Sequence, residues 1–242
     1  MNILVIPISP LEQAKSRLRS VFSQEKIKLL IISMVKDLGE KLAHLDTFDS
    51  VIVYCGDHSI AELAESYNLI GLKEKNLNHK KSFDRVIEEV NQIAIDQFNA
   101  KQTIFTFLDT VLISEQNLRD LSQLIKEYQL VICPSVHSAG ISVLGRNPPD
   151  IVPTCFSDTS IPSFLGQLRM AQKADIQKIK IYDSFRAGFD IDIKRDLALA
   201  YEYLKALNLT DSHTFQFLEQ NLTFSLKKNH NNRELDIITN RK

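Results

Sequence analysis

Glycine is scarce in this sequence, which has 7 glycines among its 242 residues. Average usage of roughly 7% would give about 17. Neither GxxxxGK nor GxGxxG, the two glycine-rich phosphate-binding motifs, occurs in the sequence. A glycine-rich phosphate loop is therefore excluded, and a bound nucleotide would need another kind of binding site.

Cysteine is also rare, and the three cysteines show no CxxC spacing. Cys55, Cys133 and Cys155 each lie in or beside an apolar stretch, so we expect them to be buried small hydrophobic residues. Their number and spacing disfavour a disulfide scaffold and a zinc site, and they fit a cytoplasmic protein. The sequence also lacks HExxH and GxSxG, which removes support for a zinc protease and a Ser-His-Asp hydrolase.

An excess of either charge is absent, since 29 Lys and Arg oppose 30 Asp and Glu. This balance argues against a generic surface for nucleic acid or anionic membranes. No run approaches 18 apolar residues, so we expect no membrane span. The first ten residues, MNILVIPISP, lack a basic segment, so we expect no signal peptide.

Short β-branched runs alternate with longer segments of helical period, which predicts a doubly wound α/β domain. The candidate strands are Ile3–Pro7, Ser50–Cys55, Thr103–Leu108, Leu130–Pro134, Ile141–Leu144, Lys178–Tyr182 and Gly188–Ile191. The candidate helices are Gln24–Leu45, Ser59–Tyr67, Ser82–Phe98, Glu115–Tyr128, Ile161–Gln172 and Lys194–Leu207. The polar, Asn-rich stretch from about residue 225 predicts a frayed or disordered tail.

Two cations and a hydroxyl follow the first candidate strand. In the segment PISPLEQAKSRL, two prolines keep the backbone extended before Lys15, Ser16 and Arg17. Ligands of open α/β sheets bind at the carboxyl ends of the strands, where a Lys and an Arg can clamp a polyphosphate. The alternative is an ordinary solvated loop.

Acidic residues follow two other candidate strands. Asp109 comes directly after the apolar run TIFTFL, and Asp190 and Asp192 alternate within Phe189-Asp190-Ile191-Asp192. On a strand the latter two project to the same side, where their carboxylates repel each other unless a cation lies between them. Together the three would form an oxygen-rich site suited to Mg²⁺. Alternatively, Asp192 caps the next helix and Asp109 begins a turn.

The opening segment resembles the first motif of the 2-phospho-L-lactate guanylyltransferases in their archaeal form, and further similar segments follow in the order of that family. These are VIPISPLEQAKSRL at Val5–Leu18, NLN at Asn76–Asn78, the Asp109 strand end, CPS at Cys133–Ser135, PPDIVP at Pro148–Pro153, IYDSF at Ile181–Phe185 and FDIDIKRDL at Phe189–Leu197. The resemblance implies a nucleotidyltransferase domain over residues 1–208, with residues 209–242 as a C-terminal extension.

The fold implied by this resemblance is the Rossmann-like fold of the nucleotide-diphospho-sugar transferases, a mixed, mostly parallel sheet with helices on both faces. The implied reaction moves GMP from GTP to a phosphorylated three-carbon acid in coenzyme F-420 synthesis, with Mg²⁺ as cofactor, in a homodimer. The roles that it implies are catalysis by Lys15, Arg17 and Asp109, nucleotide binding by Ser9, Lys15, Ser16, Arg17, Asn78, Ser135 and Gly140, and metal binding by Asp109, Asp190 and Asp192.

The sequence departs from the family pattern where base and acceptor would be recognised. Val136 replaces an Arg, Ala139 a Gly, and Ile141 and Ser142 a Thr-Asn pair, while Gln167 stands where a His is usual. Loss of hydrogen-bonding groups there should weaken specificity more than metal affinity. The alternative function is therefore a weak or inactive homologue that binds a nucleotide or a partner protein.

Overall fold

A seven-stranded mixed sheet forms the centre of the molecule. The structure, a computed structural model, describes residues 1–74, 81–229 and 232–239, and beyond residue 225 it describes the side chain of Ile237 alone. The strands are β1 Asn2–Ile8, β2 Ser50–Cys55, β3 Ile70–Lys73, β4 Gln102–Thr106, β5 Leu130–Pro134, β6 Ile141–Arg146 and β7 Ile179–Ile181. Their spatial order is β3-β2-β1-β4-β6-β5-β7.

Every pair in this sheet is parallel except the two pairs made by β6, which runs antiparallel to β4 and β5. The mixed, mostly parallel sheet is therefore confirmed. The loops after β1, β4 and β5 leave the sheet at the same edge, and β6 begins there. These connections can bring residues that are far apart in sequence to one place.

Helices cover both faces of the sheet. They are α1 Gln24–Ala43, α2 His58–Glu65, α3 Phe83–Phe98, α4 Glu115–Glu127, α5 Ser163–Lys173, α6 Phe185–Gly188, α7 Lys194–Ala206 and α8 His213–Asn221. Alternate residues of β1 enter different cores, Leu4 and Ile6 on the side of α1 and Ile3 and Val5 on the side of α3. Burial on both faces explains why β1 reads as a nearly continuous apolar run.

The strand predicted at Gly188–Ile191 is wrong. Gly188 ends the short helix α6, and the following segment is irregular. Its backbone groups bind at separate places: Gly188 accepts from the N–H of Val136, and Ile191 donates to the carbonyl of Asp109. These single hydrogen bonds replace a strand ladder. Periodicity also does not predict β3, α6 and α8, or the two strands of the C-terminal hairpin.

The C-terminal residues form a helix and a hairpin. Helix α8 packs against α1, and β8 Leu222–Asn229 pairs antiparallel with β9 Asn232–Thr239. The hairpin occupies the stretch in which the sequence favours a frayed tail. The division of the chain at residue 208 stays a prediction. None of the described helices has the length and apolar character that a membrane crossing requires.

The start of α8 is fixed by a buried carboxylate of α1. Asp37 accepts hydrogen bonds from the backbone N–H groups of His213, at 2.7 Å, and Thr214, at 2.9 Å. We expect Asp37→Ala to lower the free energy of unfolding by about 1–2 kcal/mol, since it leaves helix-terminal donors unsatisfied. Urea denaturation measures this loss.

The matched control is Glu40→Ala on the same helix. The carboxylate of Glu40 is exposed and contacts the imidazole of His213, so its removal should cost about 0–1 kcal/mol. Equal losses for the two variants would contradict the role given to Asp37.

Candidate functional site

An open cavity of about 420 Å³ lies at the sheet edge where β1 and β4 end. The loop after β1 lines one side with Lys15, Ser16 and Arg17, and Asp109 lines it from the loop after β4. Asp190 and Asp192 line it from the segment that precedes α7. The cavity therefore unites the two sets of residues that the sequence singled out, the cations of one loop and the carboxylates of two other segments.

The loop after β1 presents Lys15 in an unusual backbone conformation. Lys15 precedes a short 3-10 helix, Ser16–Ser20, with φ 50° and ψ 38°, in the left-handed region. This conformation costs a residue other than glycine roughly 1–2 kcal/mol. A hydrogen bond to another segment of the chain holds this loop in place, because the backbone N–H of Leu11 donates to the carboxylate of Asp57. In this backbone conformation the Lys15 side chain lines the cavity.

The ammonium of Lys15 lies between two carboxylates. Its Nζ donates to Asp109 Oδ2 and, at 2.9 Å, to Asp192 Oδ1, and only 14% of the side chain is exposed. Burial lowers the pKa of Lys15, but the two carboxylates outweigh it, so this pKa lies above its ordinary value. Lys15 is therefore charged, and it neutralises part of the acidic cluster.

Asp190 is held in a different way. Ser135, just after β5, donates its hydroxyl to Asp190 Oδ1 at 2.6 Å. Burial raises the pKa of Asp190 to about 6, and the carboxylates of Asp109 and Asp192 add to this rise, while the Ser135 hydroxyl opposes it. A positive charge close to Asp190 would favour its ionised form.

The acidic cluster contains a carboxylate oxygen that a cation could contact. Asp109 Oδ1 is buried and has no hydrogen-bond partner among the described residues. A carboxylate oxygen buried without a partner is costly, and contact with a cation would remove that cost. With Asp190 and Asp192 nearby, the available donors are all carboxylate oxygens, the type that Mg²⁺ prefers. The chemistry of these donors suits Mg²⁺, but among the described residues the group whose three ligand atoms lie within 4.8 Å of one another is Asp37, Glu40 and His213. A bound ion would therefore need Asp109, Asp190 and Asp192 to move closer together.

Part of the cavity lining is apolar, and no sequence motif predicts it. Phe83, Phe107 and Phe156 pack edge to face or tilted, with ring centroids 5.3–5.6 Å apart, and Ile141 lies beside them. The carboxylate of Asp84 fixes this cluster, since it accepts hydrogen bonds from the backbone of Phe156 and Ser157. No local motif could reveal these rings, because they come from three separate segments.

The remaining predicted site residues are distributed as follows. Ser9 and Gly140 line the cavity, and Ser135 reaches it through Asp190. Asn78 lies outside the described residues. The nucleotide-binding roles of these residues stay predictions.

The residues that depart from the family pattern are spread over different environments. Ile141 lines the cavity, whereas the hydroxyl of Ser142 points to the carbonyl of Gly188. Gln167 is fully buried and donates to the carbonyl of Pro153. Val136 is exposed. Of the altered positions, Ile141 lines the cavity and contributes an apolar side chain to it.

Gly188 allows the acidic segment to lie against the end of β5. A Cβ atom on Gly188 would lie 2.5 Å from the carbonyl oxygen of Pro134 and 3.1 Å from the side chain of Val136. We expect Gly188→Ala to lower the free energy of unfolding by about 1–3 kcal/mol, because backbone atoms must move apart. Thermal or urea unfolding measures the change.

Gly140→Ala provides the matched control. A Cβ there first meets the Ser138 hydroxyl at 3.0 Å, in a loop that can adjust, so we expect a change within about 0.5 kcal/mol. If Gly188→Ala were equally mild, close packing at Gly188 would not hold the acidic segment.

Comparison with known proteins identifies the family. The model of the family described as "Guanylyl transferase CofC like" matches residues 1–240. The 2-phospho-L-lactate guanylyltransferase of Methanocaldococcus vulcanius is 28% identical over 86% of this chain and 91% of that protein. That of Methanosphaera stadtmanae is 26% identical over 96% of this chain and 95% of that protein. These relatives lend no support to the alternative of a non-catalytic binding protein.

Solved structures share the fold. A protein of Desulfovibrio desulfuricans assigned to the nucleotide-diphospho-sugar transferases superposes with a TM-score of 0.71, at 16% identity, over 90% of this chain and 94% of that one. The 4-diphosphocytidyl-2C-methyl-D-erythritol synthase of Anaerococcus prevotii gives 0.58 at 11% identity, over 85% and 96%. The chain therefore has the nucleotide-diphospho-sugar transferase fold, as the resemblance implies, and it belongs to the family of CofC-like guanylyl transferases.

Proposed function

We propose that this chain transfers GMP from GTP to a phosphorylated three-carbon acid, with release of pyrophosphate. The acceptor class includes 2-phospholactate, which the names of the curated relatives contain, and phosphoenolpyruvate. The observation that carries the proposal is the convergence of Lys15 with Asp109, Asp190 and Asp192 in one cavity, within a chain of the guanylyl transferase family.

The proposed reaction needs no general base. A phosphate monoester has a second pKa of about 6, so the acceptor phosphate is already an anionic nucleophile at neutral pH. One of its oxygens attacks the α-phosphorus of GTP and forms the new P–O bond. The bond to the β-phosphate breaks, and pyrophosphate leaves with the electron pair.

The electrostatic difficulty is that one anion must approach another. The loop after β1 would reduce this repulsion. The side chains of Lys15, Ser16 and Arg17 line the cavity, where they can hold the triphosphate. Arg17 is suited to this role, since its side chain is 72% exposed and its nearest acidic contact, Asp192, is 3.8 Å away. Lys15 would contribute the buried cation.

Asp109, Asp190 and Asp192 are the proposed ligands of Mg²⁺. When bound, the ion would neutralise phosphate charge and help to hold the reacting groups in line. Ser135 keeps the Asp190 carboxylate oriented toward the cavity, and the hydrogen bond from Ile191 to Asp109 joins the two acidic segments.

A homodimeric assembly and a cytoplasmic location are part of the same proposal, the first from the family resemblance and the second from the three buried free cysteines.

The proposed reaction has a direct assay. We expect the full chain to release pyrophosphate from GTP in the presence of Mg²⁺ and either 2-phospholactate or phosphoenolpyruvate, and to require both substrates. A coupled pyrophosphate assay measures the rate, and chromatography identifies the GMP adduct. The reaction would be rejected by a rate no higher than background with all four nucleotides and several phospho-acids.

Asp109→Asn tests the acidic cluster. The substitution keeps the shape of the side chain but removes the charge of a proposed metal ligand, so we expect turnover to fall at least about 100-fold. Binding of GTP without metal should persist, as measured by calorimetry in the presence of a chelator.

Asp96→Asn is the control for this variant, because Asp96 lies on the exposed surface of α3 and should leave turnover unchanged. Full activity of Asp109→Asn would remove Asp109 from the proposed metal site.

A further inference from the structure

Lys15 occupies the place at which positive charge is needed between Asp109 and Asp192. Its ammonium contacts one oxygen of each carboxylate, and the side chain is largely buried. A divalent ion bound by these two residues would be attracted to the same oxygens. Two cations in contact with one pair of carboxylates repel each other strongly, since Coulomb energy rises steeply at short range and low dielectric.

The loop that carries Lys15 also offers contacts to a phosphate group. Lys15 lies next to Ser16 and Arg17, which line the same cavity and present a hydroxyl and a guanidinium to any phosphate that enters. A lysine has a flexible stem of four carbons, so its ammonium can exchange partners while its backbone stays fixed. The left-handed backbone of Lys15, anchored through the Leu11–Asp57 hydrogen bond, keeps the base of that stem at the cavity wall.

We propose that Lys15 is a displaceable internal counterion, which makes the binding of a divalent cation and of a nucleoside triphosphate to this cavity mutually dependent. Phosphate groups draw the ammonium away from Asp109 and Asp192 and so free these oxygens for the cation. A bound cation in turn releases Lys15 toward the phosphates. The inference rests on the proposed function for the identity of the two ligands.

Two further features agree with this exchange. Asp109 Oδ1 has no partner among the described residues, so the cluster offers a cation one contact that Lys15 does not fill. Asp190 accepts its hydrogen bond from Ser135, whereas the ammonium of Lys15 donates to Asp109 and Asp192. Asp190 can therefore contact a cation whether or not Lys15 moves. Because binding free energies are linked, metal must strengthen nucleotide binding by the same factor as nucleotide strengthens metal binding.

The test compares the affinity of the full chain for Mn²⁺ alone, by calorimetry, in the wild type and in Lys15→Gln. The counterion is absent in the variant, so we expect Mn²⁺ to bind roughly 10-fold more tightly, within the 5–150-fold range usual for coupled sites. Arg17→Gln is the matched control, because it removes an equal charge from the same loop, and the contact of Arg17 with Asp192 is long, at 3.8 Å, and solvent-exposed. It should change the affinity about 2-fold or less, in line with a solvent-screened pair.

The second arm measures the coupling itself. An α,β-methylene analogue of GTP, which cannot release pyrophosphate, is titrated into the wild type with a chelator and with saturating Mn²⁺. We expect Mn²⁺ to tighten its binding in the wild type, and we expect most of that gain to be lost in Lys15→Gln. Circular dichroism verifies folding, and Lys15→Met replaces the variant if Lys15→Gln does not fold.

The inference is overturned if the Lys15 variant binds Mn²⁺ no more tightly than the wild type, or if Arg17→Gln tightens binding equally. Its failure is distinct from failure of the proposed function. Tighter Mn²⁺ binding without any pyrophosphate release would retain the counterion and reject the reaction. Pyrophosphate release with unchanged Mn²⁺ affinity would retain the reaction and reject the counterion.

Discussion

The arrangement of the site depends on the repulsion among three carboxylates. At an effective dielectric constant of about 20, two like charges 4 Å apart repel by roughly 4 kcal/mol, a large part of the stability of a domain. Asp109, Asp190 and Asp192 can share one cavity because each accepts a hydrogen bond from a neighbouring side chain. Lys15 neutralises the first and the last, and Ser135 hydrogen-bonds the second. The strained backbone of Lys15 is one cost of this arrangement.

The sheet topology brings these groups together. From β1 the chain proceeds to β2 and β3 on one side, and then crosses to β4 on the other side of β1. The order of strands therefore reverses between β1 and β4, which is where open α/β sheets bind ligands. Lys15 follows β1 and Asp109 follows β4, so their contact is a direct consequence of the strand order. The antiparallel β6 then begins at the same edge and supplies the apolar wall through Ile141.

Much of the fold and of the site could be predicted from the sequence, because the longer elements have clear periodicity and because Lys15 and Asp109 follow strands. The error at Gly188–Ile191 has a physical reason: alternation in Phe189-Asp190-Ile191-Asp192 fits a strand, but the backbone binds Asp109 instead of a neighbouring strand. β3 was missed because it has four residues, one of them glycine. The apolar wall could not be predicted, since Phe83, Phe107 and Phe156 meet only through tertiary packing.

The two sides of the cavity have different consequences for recognition. In the proposed reaction, Lys15 and Arg17 contact phosphate groups, which every nucleoside triphosphate and every phospho-acid carries, so these contacts would contribute almost equally to the binding of all of them. Specificity is a difference between affinities, and a common contribution cancels in that difference. Discrimination among substrates would then come from the rest of the lining, which includes the apolar side chains of Phe83, Phe107, Ile141 and Phe156 and the polar side chains of Ser9, Gln13, Ser138 and Ser163. An apolar wall separates ligands by shape and by the cost of desolvating their polar groups, which gives smaller ratios than directed hydrogen bonds give. The same fold can thus keep its phosphate chemistry while its substrate preference changes through a few apolar side chains.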